Sequence, residues 1–126
     1  MAKILIIDDN DDLRTVVADI LVAAGHEVVE AADGVQGIEL QRNSPAILVI
    51  TDILMPEKEG IETIRDLARE FPALRIIAMS GAGRSRSSDR LPFIAKELGA
   101  HAFLRKPFGS DELLESVRKV LDQPTG

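Results

Sequence analysis

Asp8, Asp9, Asp52, Ser80 and Lys106 are the residues whose types and placement could do chemistry. Each stands at the end of a short apolar run. Lys3-Ile4-Leu5-Ile6-Ile7 leads into Asp8-Asp9, and Ile47-Leu48-Val49-Ile50-Thr51 leads into Asp52. Leu74-Arg75-Ile76-Ile77-Ala78-Met79 leads into Ser80, and His101-Ala102-Phe103-Leu104-Arg105 into Lys106-Pro107. As neighbouring parallel strands, these runs would gather three carboxylates, a hydroxyl and an ammonium at one sheet edge, the edge where open α/β sheets bind ligands. A hard divalent cation such as Mg2+ takes oxygen ligands, commonly one or two carboxylates with phosphate and water. Three carboxylates and one ammonium leave two net negative charges, which a divalent ion balances. The set suits a carboxylate that accepts a phosphoryl group beside such an ion. Asp52 would be the nucleophile and form an acyl phosphate. The cation and Lys106 would each hold a phosphoryl oxygen, and the Ser80 hydroxyl would donate to a third. Taken singly, each motif has a plainer meaning: a helix-capping Asp-Asp, a turn at Asp52, a Ser-Gly loop, a Lys-Pro bend. The argument rests on the whole set, each member at a strand end.

The elements that must position these residues alternate along the chain. From Asn10 to Ala24, Leu13, Val16, Val17, Ile20 and Leu21 recur at helical spacing. Asn10 is a candidate N-cap, Asp11 and Asp12 suit the positive end of the helix dipole, and Gly25 is a candidate stop. Glu27 to Ala31 reads as a short strand, and a weaker helix carrying Val35, Ile38 and Leu40 runs from Gly34 to before Pro45. Met55-Pro56 through Gly60 reads as a loop, and Ile61 to Phe71 as a helix with Ile61, Ile64, Leu67 and Ala68 on one face. After Ser80 comes a Gly/Ser/Arg loop, then a helix from about Asp89 or Pro92 to Leu98, closed by Gly99. Ser110 to Leu121 is the last helix. Five βα units predict an α/β fold: a doubly wound five-stranded parallel sheet with helices on both faces, in three α/β/α layers. The continuous apolar character of the first, third and fourth strands fits burial on both sides.

Composition narrows the function. The 126 residues suit one domain, over residues 1–121, with 122–126 as a tail or the start of a linker. A net charge of −6 and an aromatic content of 3%, with no Trp or Tyr, argue against direct nucleic-acid binding. The absence of cysteine removes disulfides and thiolate metal sites and fits a cytoplasmic protein. No cleavable leader is visible, and no apolar stretch approaches the roughly 20 residues of a membrane span. His26 and His101 lack metal-ligand spacing and read as surface or strand-end residues, while Met55 and Met79 read as packing residues.

The motifs Ile6-Ile7-Asp8-Asp9-Asn10, Asp52-Ile53-Leu54-Met55-Pro56 with Gly60, Met79-Ser80-Gly81 and Phe103-Leu104-Arg105-Lys106-Pro107-Phe108 appear in order. Over about Lys3 to Leu121 the chain resembles a response-regulator receiver domain of two-component signalling, with the flavodoxin-like (βα)5 fold of chemotaxis regulators. The resemblance implies that Asp52 is the phospho-accepting aspartate. It implies that Asp8, Asp9, Asp52 and the Leu54 backbone carbonyl hold Mg2+ or Mn2+. It makes Ser80 the switch hydroxyl, Phe103 the switch aromatic and Lys106 the phosphate-binding lysine, in a bond to Pro107 that is usually cis. The implied donor is a phosphohistidine on a histidine kinase or phosphotransfer protein. The output partner is unspecified, no membrane is involved, and the chain would be a monomer or weak homodimer. Such a domain catalyses only its own phosphorylation and dephosphorylation.

Two features depart from or qualify that pattern. The segment Gly83-Arg84-Ser85-Arg86-Ser87-Ser88-Asp89-Arg90 is longer than usual and locally basic. It reads either as a solvated loop or as a partner-recognition element. Leu54 and Ala82, two residues after Asp52 and Ser80, cannot orient an attacking water by hydrogen bonding, which predicts a long-lived phosphoryl group. Two other functions remain open at this point: a small phosphohydrolase in which Asp8 is essential and Asp52 secondary, and a phosphate-independent scaffold.

Overall fold

The computed structural model describes residues 2–53, 59–81 and 90–123. The chain alternates β1 (Lys3–Ile7), α1 (Asp11–Ala23), β2 (Glu27–Ala31), α2 (Gly34–Asn43), β3 (Leu48–Asp52), α3 (Glu59–Glu70), β4 (Arg75–Ser80), α4 (Leu91–Leu98), β5 (Ala102–Arg105) and α5 (Ser110–Asp122). The strands form one parallel sheet in the order β2-β1-β3-β4-β5. The order reverses at β1, which leaves a crevice beyond the carboxyl ends of β1 and β3.

Strand alternation builds two cores from one sheet. Ile4, Ile6, Leu48, Ile50, Ile77, Met79 and Leu104 pack with Val17 and Leu21 of α1 and Leu113, Val117 and Val120 of α5. Leu5, Ile7, Val49, Ile76 and Ala78 pack on the other face with Ile64 and Leu67 of α3 and Leu91 and Ala95 of α4. Each such Ile or Leu, fully buried, contributes about 1.5–3 kcal/mol. The central strands are apolar at consecutive positions because both faces are covered.

Local chemistry sets the ends of the elements. The Asn10 side chain accepts from the Leu13 N–H at 3.1 Å and starts α1. Gly25, at φ 97, and Gly99, at φ 119, turn the chain after α1 and α4 in a left-handed conformation that side chains resist.

Several boundaries differ from expectation. Helix α3 begins at Glu59, so Gly60 lies in its first turn and not in a loop. That turn approaches the sheet so closely that a Cβ on Gly60 would lie 2.5 Å from the Asp52 and Ile53 carbonyl oxygens. Helix α5 runs one residue past Leu121, to Asp122. Val16 (53% exposed) and Val35 (71%) point to solvent, because helices on one side of a sheet bury only a narrow stripe. Met79 is fully buried packing, as expected; Met55 and nearly all of the basic 83–90 segment fall outside the described residues.

Candidate functional site

Strand register brings the chemistry together. Ile7 lies opposite Thr51, so Asp8, the next residue, is level with Asp52. Asp52 lies opposite Met79, and Ser80 opposite Arg105, directly before Lys106. Alternation continued past Ile6, Ile50 and Leu104 carries Asp8, Asp52 and Lys106 to the α1–α5 side of the sheet edge. Ser80 follows Ile76 and Ala78 and belongs to the opposite side, as does Phe103.

The Lys106 ammonium donates to Asp52 Oδ2 at 2.8 Å and to Asp8 Oδ2 at 3.0 Å. Asp8 is fully buried and Asp52 is 5% exposed. The second Asp8 oxygen, Oδ1, accepts from the Asn10 N–H at 2.9 Å. Burial by itself draws the Lys106 pKa down, but hydrogen bonds to Asp52 and Asp8 and their charges outweigh it, so the value is raised. Lys106 is therefore a fixed positive charge at neutral pH. Its backbone N–H donates to the Ser80 carbonyl at 2.8 Å, and the Lys106–Pro107 peptide is cis.

Asp8, Asp9 and Asp52 each offer a carboxylate oxygen, and these oxygens lie within 4.8 Å of one another. Two of the carboxylates are buried and Asp9 is exposed. An all-oxygen, net-anionic cluster at a sheet edge fits a hard divalent cation. The Leu54 carbonyl, expected to complete the set, lies outside the described residues, as does Ala82. Ser80 is fully buried at the end of β4, and its hydroxyl donates to the Gly81 carbonyl at 2.9 Å. Phe103 is half-buried against the core beneath α4, with the Arg105 guanidinium 5.6 Å from its ring centroid. His26 and His101 are not near this cluster; each accepts a backbone N–H through Nδ1, from Ala2 and Ile76, both at 3.1 Å.

One contributor, Arg14, was missed in the sequence, and another, Gly60, was read only as a motif residue in a loop. Arg14 donates to the Asp8 carbonyl at 2.6 Å, to Asp11 at 2.6 Å and to Glu30 at 3.2 Å. The spacing of Asp11 and Arg14 marks an i,i+3 pair, but nothing local pointed to Asp8. Gly60 backs the Asp52–Ile53 main chain, where the Ile53 N–H continues the ladder to Met79 O at 2.8 Å. A cavity of about 330 Å3 opens beside Lys106, lined by Leu13, Lys106, Pro107 and Phe108.

Residues 4–118 match the family described as response regulator receiver domain. The chain is 37% identical over 121 residues to the chemotaxis protein CheY of Bacillus subtilis, covering 95% of this chain and 98% of that protein. It is 34% identical over 123 residues to the transcriptional regulatory protein CpxR of Escherichia coli, covering 96% of this chain but 50% of CpxR. The receiver domain of NtrX from Brucella abortus superposes with a TM-score of 0.88 at 28% identity, over 96% of this chain and 99% of that one. With nearly its whole length matched in both sequence and fold, the chain belongs to the response regulator receiver domain family, the signalling domains of two-component systems.

Proposed function

We propose that the chain takes a phosphoryl group onto Asp52 and changes its interaction surface in response. The observation that carries this is the Lys106 ammonium held between Asp52 and Asp8, with the Asp9 carboxylate in the same cluster. A carboxylate oxygen of Asp52 attacks phosphorus, and the P–N bond of a donor phosphohistidine breaks. The leaving imidazole keeps the bonding electrons and takes up a proton. The donor would be a histidine kinase or phosphotransfer protein, approaching by the opening beside Lys106 and Phe108. Asp8, Asp9 and Asp52 would hold Mg2+ or Mn2+, with the Leu54 carbonyl as a further ligand. When bound, that ion neutralises phosphoryl oxygens that would otherwise face carboxylates. Lys106 exchanges its contact with Asp52 for one with a phosphoryl oxygen.

Ser80 and Phe103 would form the switch. Among the described residues the Ser80 hydroxyl donates within its own turn to Gly81 O, so a phosphoryl oxygen competes for it with a neutral carbonyl. Its movement on the α4 side would change the space available to Phe103, and with it the surface of α4, β5 and α5. The phosphoryl group need only bias an existing equilibrium. Residues 1–121 would be the receiver unit, with 122–126 leading to a tail or linker. It would act in the cytoplasm on an output partner, as a monomer or weak homodimer. No described helix is long and apolar enough to cross a membrane.

The phosphohydrolase alternative requires Asp8 as nucleophile. Asp8 is fully buried, with both oxygens accepting hydrogen bonds from Lys106 and Asn10. Asp52 keeps 5% exposure against none for Asp8, and that greater access favours Asp52. Incubation with a small phosphodonor and Mg2+, read by intact mass, should add one phosphoryl group to the wild type and none to Asp52→Ala. A gain surviving in Asp52→Ala would refute the assignment.

A further inference from the structure

Asp9 raises a physical question. It is the exposed member of the carboxylate cluster, and among the described residues no hydrogen bond or ion pair is seen for its side chain. A cation ligand on a free loop would lose conformational freedom on binding. Something must hold it through the backbone.

The peptide unit joining Asp8 to Asp9 contains the Asp8 carbonyl. Arg14 donates to that oxygen at 2.6 Å. The guanidinium is itself fixed from two other directions, by Asp11 on α1 and by Glu30 on β2. Its side chain is 15% exposed, so little freedom is left to it. The rest of Asp8 is tied elsewhere: its N–H donates to Ala31 O at 3.1 Å, and its carboxylate accepts from Asn10 and Lys106. Arg14 thus supplies the contact that orients the Asp8–Asp9 peptide plane.

Charge alone does not account for Arg14. Asp11 and Glu30 together more than offset its positive charge, so it adds little net field to the cluster. Geometry is what it contributes. The planar fork reaches three acceptors, on α1, on β2 and in the turn after β1, which a lysine ammonium cannot do with the same directions.

We propose that Arg14 is a positioning residue for the cation site: it sets the peptide plane between Asp8 and Asp9 and thereby aims the Asp9 carboxylate at the ion. The inference rests on the divalent-cation reading of the acidic cluster. Outer contacts of this kind typically change metal affinity about 10–100-fold when removed.

The test is calorimetric titration of Mg2+ into unphosphorylated wild type, Arg14→Lys, Arg14→Met and Glu30→Gln, since the chain has no Trp or Tyr to report binding by fluorescence. Melting in EDTA checks the fold separately. Arg14→Lys and Arg14→Met are expected to weaken Mg2+ about tenfold or more while remaining folded without metal. Glu30→Gln, which loosens only the far side of the fork, is expected to lose less. Excess Mg2+ should restore phosphorylation of Arg14→Lys by a small donor, because the reacting groups are intact. Should Arg14→Met fail to fold, Arg14→Lys decides. Mg2+ affinity within twofold of wild type in folded Arg14→Lys would overturn the proposal. Wild type that binds no Mg2+ would instead overturn the cation reading, and this inference with it.

Discussion

Lys106 is one side chain with two obligations. Its ammonium balances two buried carboxylates that would otherwise face each other across the sheet edge. Removing one partner of such a group leaves charge stranded. Lys106→Met is expected to destabilise the metal-free protein by about 2 kcal/mol, a figure discounted for the water that reaches this edge. Asp9→Asn is expected to do the opposite, raising the metal-free melting temperature by about 3 °C because it relieves repulsion. Thermal melts in EDTA compare the two; a lower melting temperature for Asp9→Asn would show that carboxylate repulsion is not stored there. That Asp8, Asp9, Asp52 and Lys106 come together was legible in the sequence because each follows an apolar run, and strand ends are where side chains become free to meet. Arg14 was not legible. In sequence it is one more charged residue on the outer face of a helix, and only the fold reveals that it turns back to the Asp8 carbonyl.

Glycine shows how the elements meet. A Cβ on Gly37 would strike the Ile7 side chain at 2.3 Å, and a flexible side-chain end can move. On Gly60 it would strike the main chain of Asp52 and Ile53 at 2.5 Å, and a paired strand end cannot. Gly60→Ala is expected to cost about 2–3 kcal/mol and to slow phosphorylation, while Gly37→Ala costs less and leaves phosphorylation unchanged. Chemical denaturation with mass-resolved phosphorylation rates checks both, and equal effects would contradict the distinction. The edge strands carry a second device. His26 precedes β2 and His101 precedes β5, and each accepts a neighbouring backbone N–H, which requires an unprotonated Nδ1. Both pKa values lie below the usual 6.5: burial lowers both, aided by the N-terminal charge at His26 and by the Arg75 charge at His101. Between 6.5 and the lower folded values the unfolded chain binds more protons. Stability from these contacts is therefore complete above pH 6.5 and declines as the pH falls through the folded pKa values. Melting temperatures from pH 7.5 to about pH 5 should fall more steeply in wild type than in a His26→Gln, His101→Gln variant; parallel profiles would dismiss the effect. In the sequence the two histidines were only strand-end residues, because a side-chain contact to the next strand depends on register. The start of α3 was likewise unreadable, since a glycine before a helix usually signals a loop.

At the scale of the whole molecule, order and layering were legible and surface detail was not. Alternating apolar runs and amphipathic stretches led to a doubly wound five-stranded sheet, and the observed order β2-β1-β3-β4-β5 is such a sheet. The exposed positions of Val16 and Val35 escaped the periodicity because a helix on a sheet buries less than its apolar content suggests. At the strand ends, alternation sets Asp8, Asp52 and Lys106 towards the α1–α5 side and Ser80 and Phe103 towards the α4 side. Phosphorylation at Asp52 would thus be read on the opposite face only through a movement of the β4 end. All of this depends on Asp52 being the residue that carries the phosphoryl group. The direct test is to phosphorylate the protein with a small donor and Mg2+, reduce the acyl phosphate with borohydride and locate the resulting homoserine by peptide mass spectrometry. The expected result is homoserine at position 52 alone; homoserine at position 8, or none in protein that binds Mg2+, would contradict it.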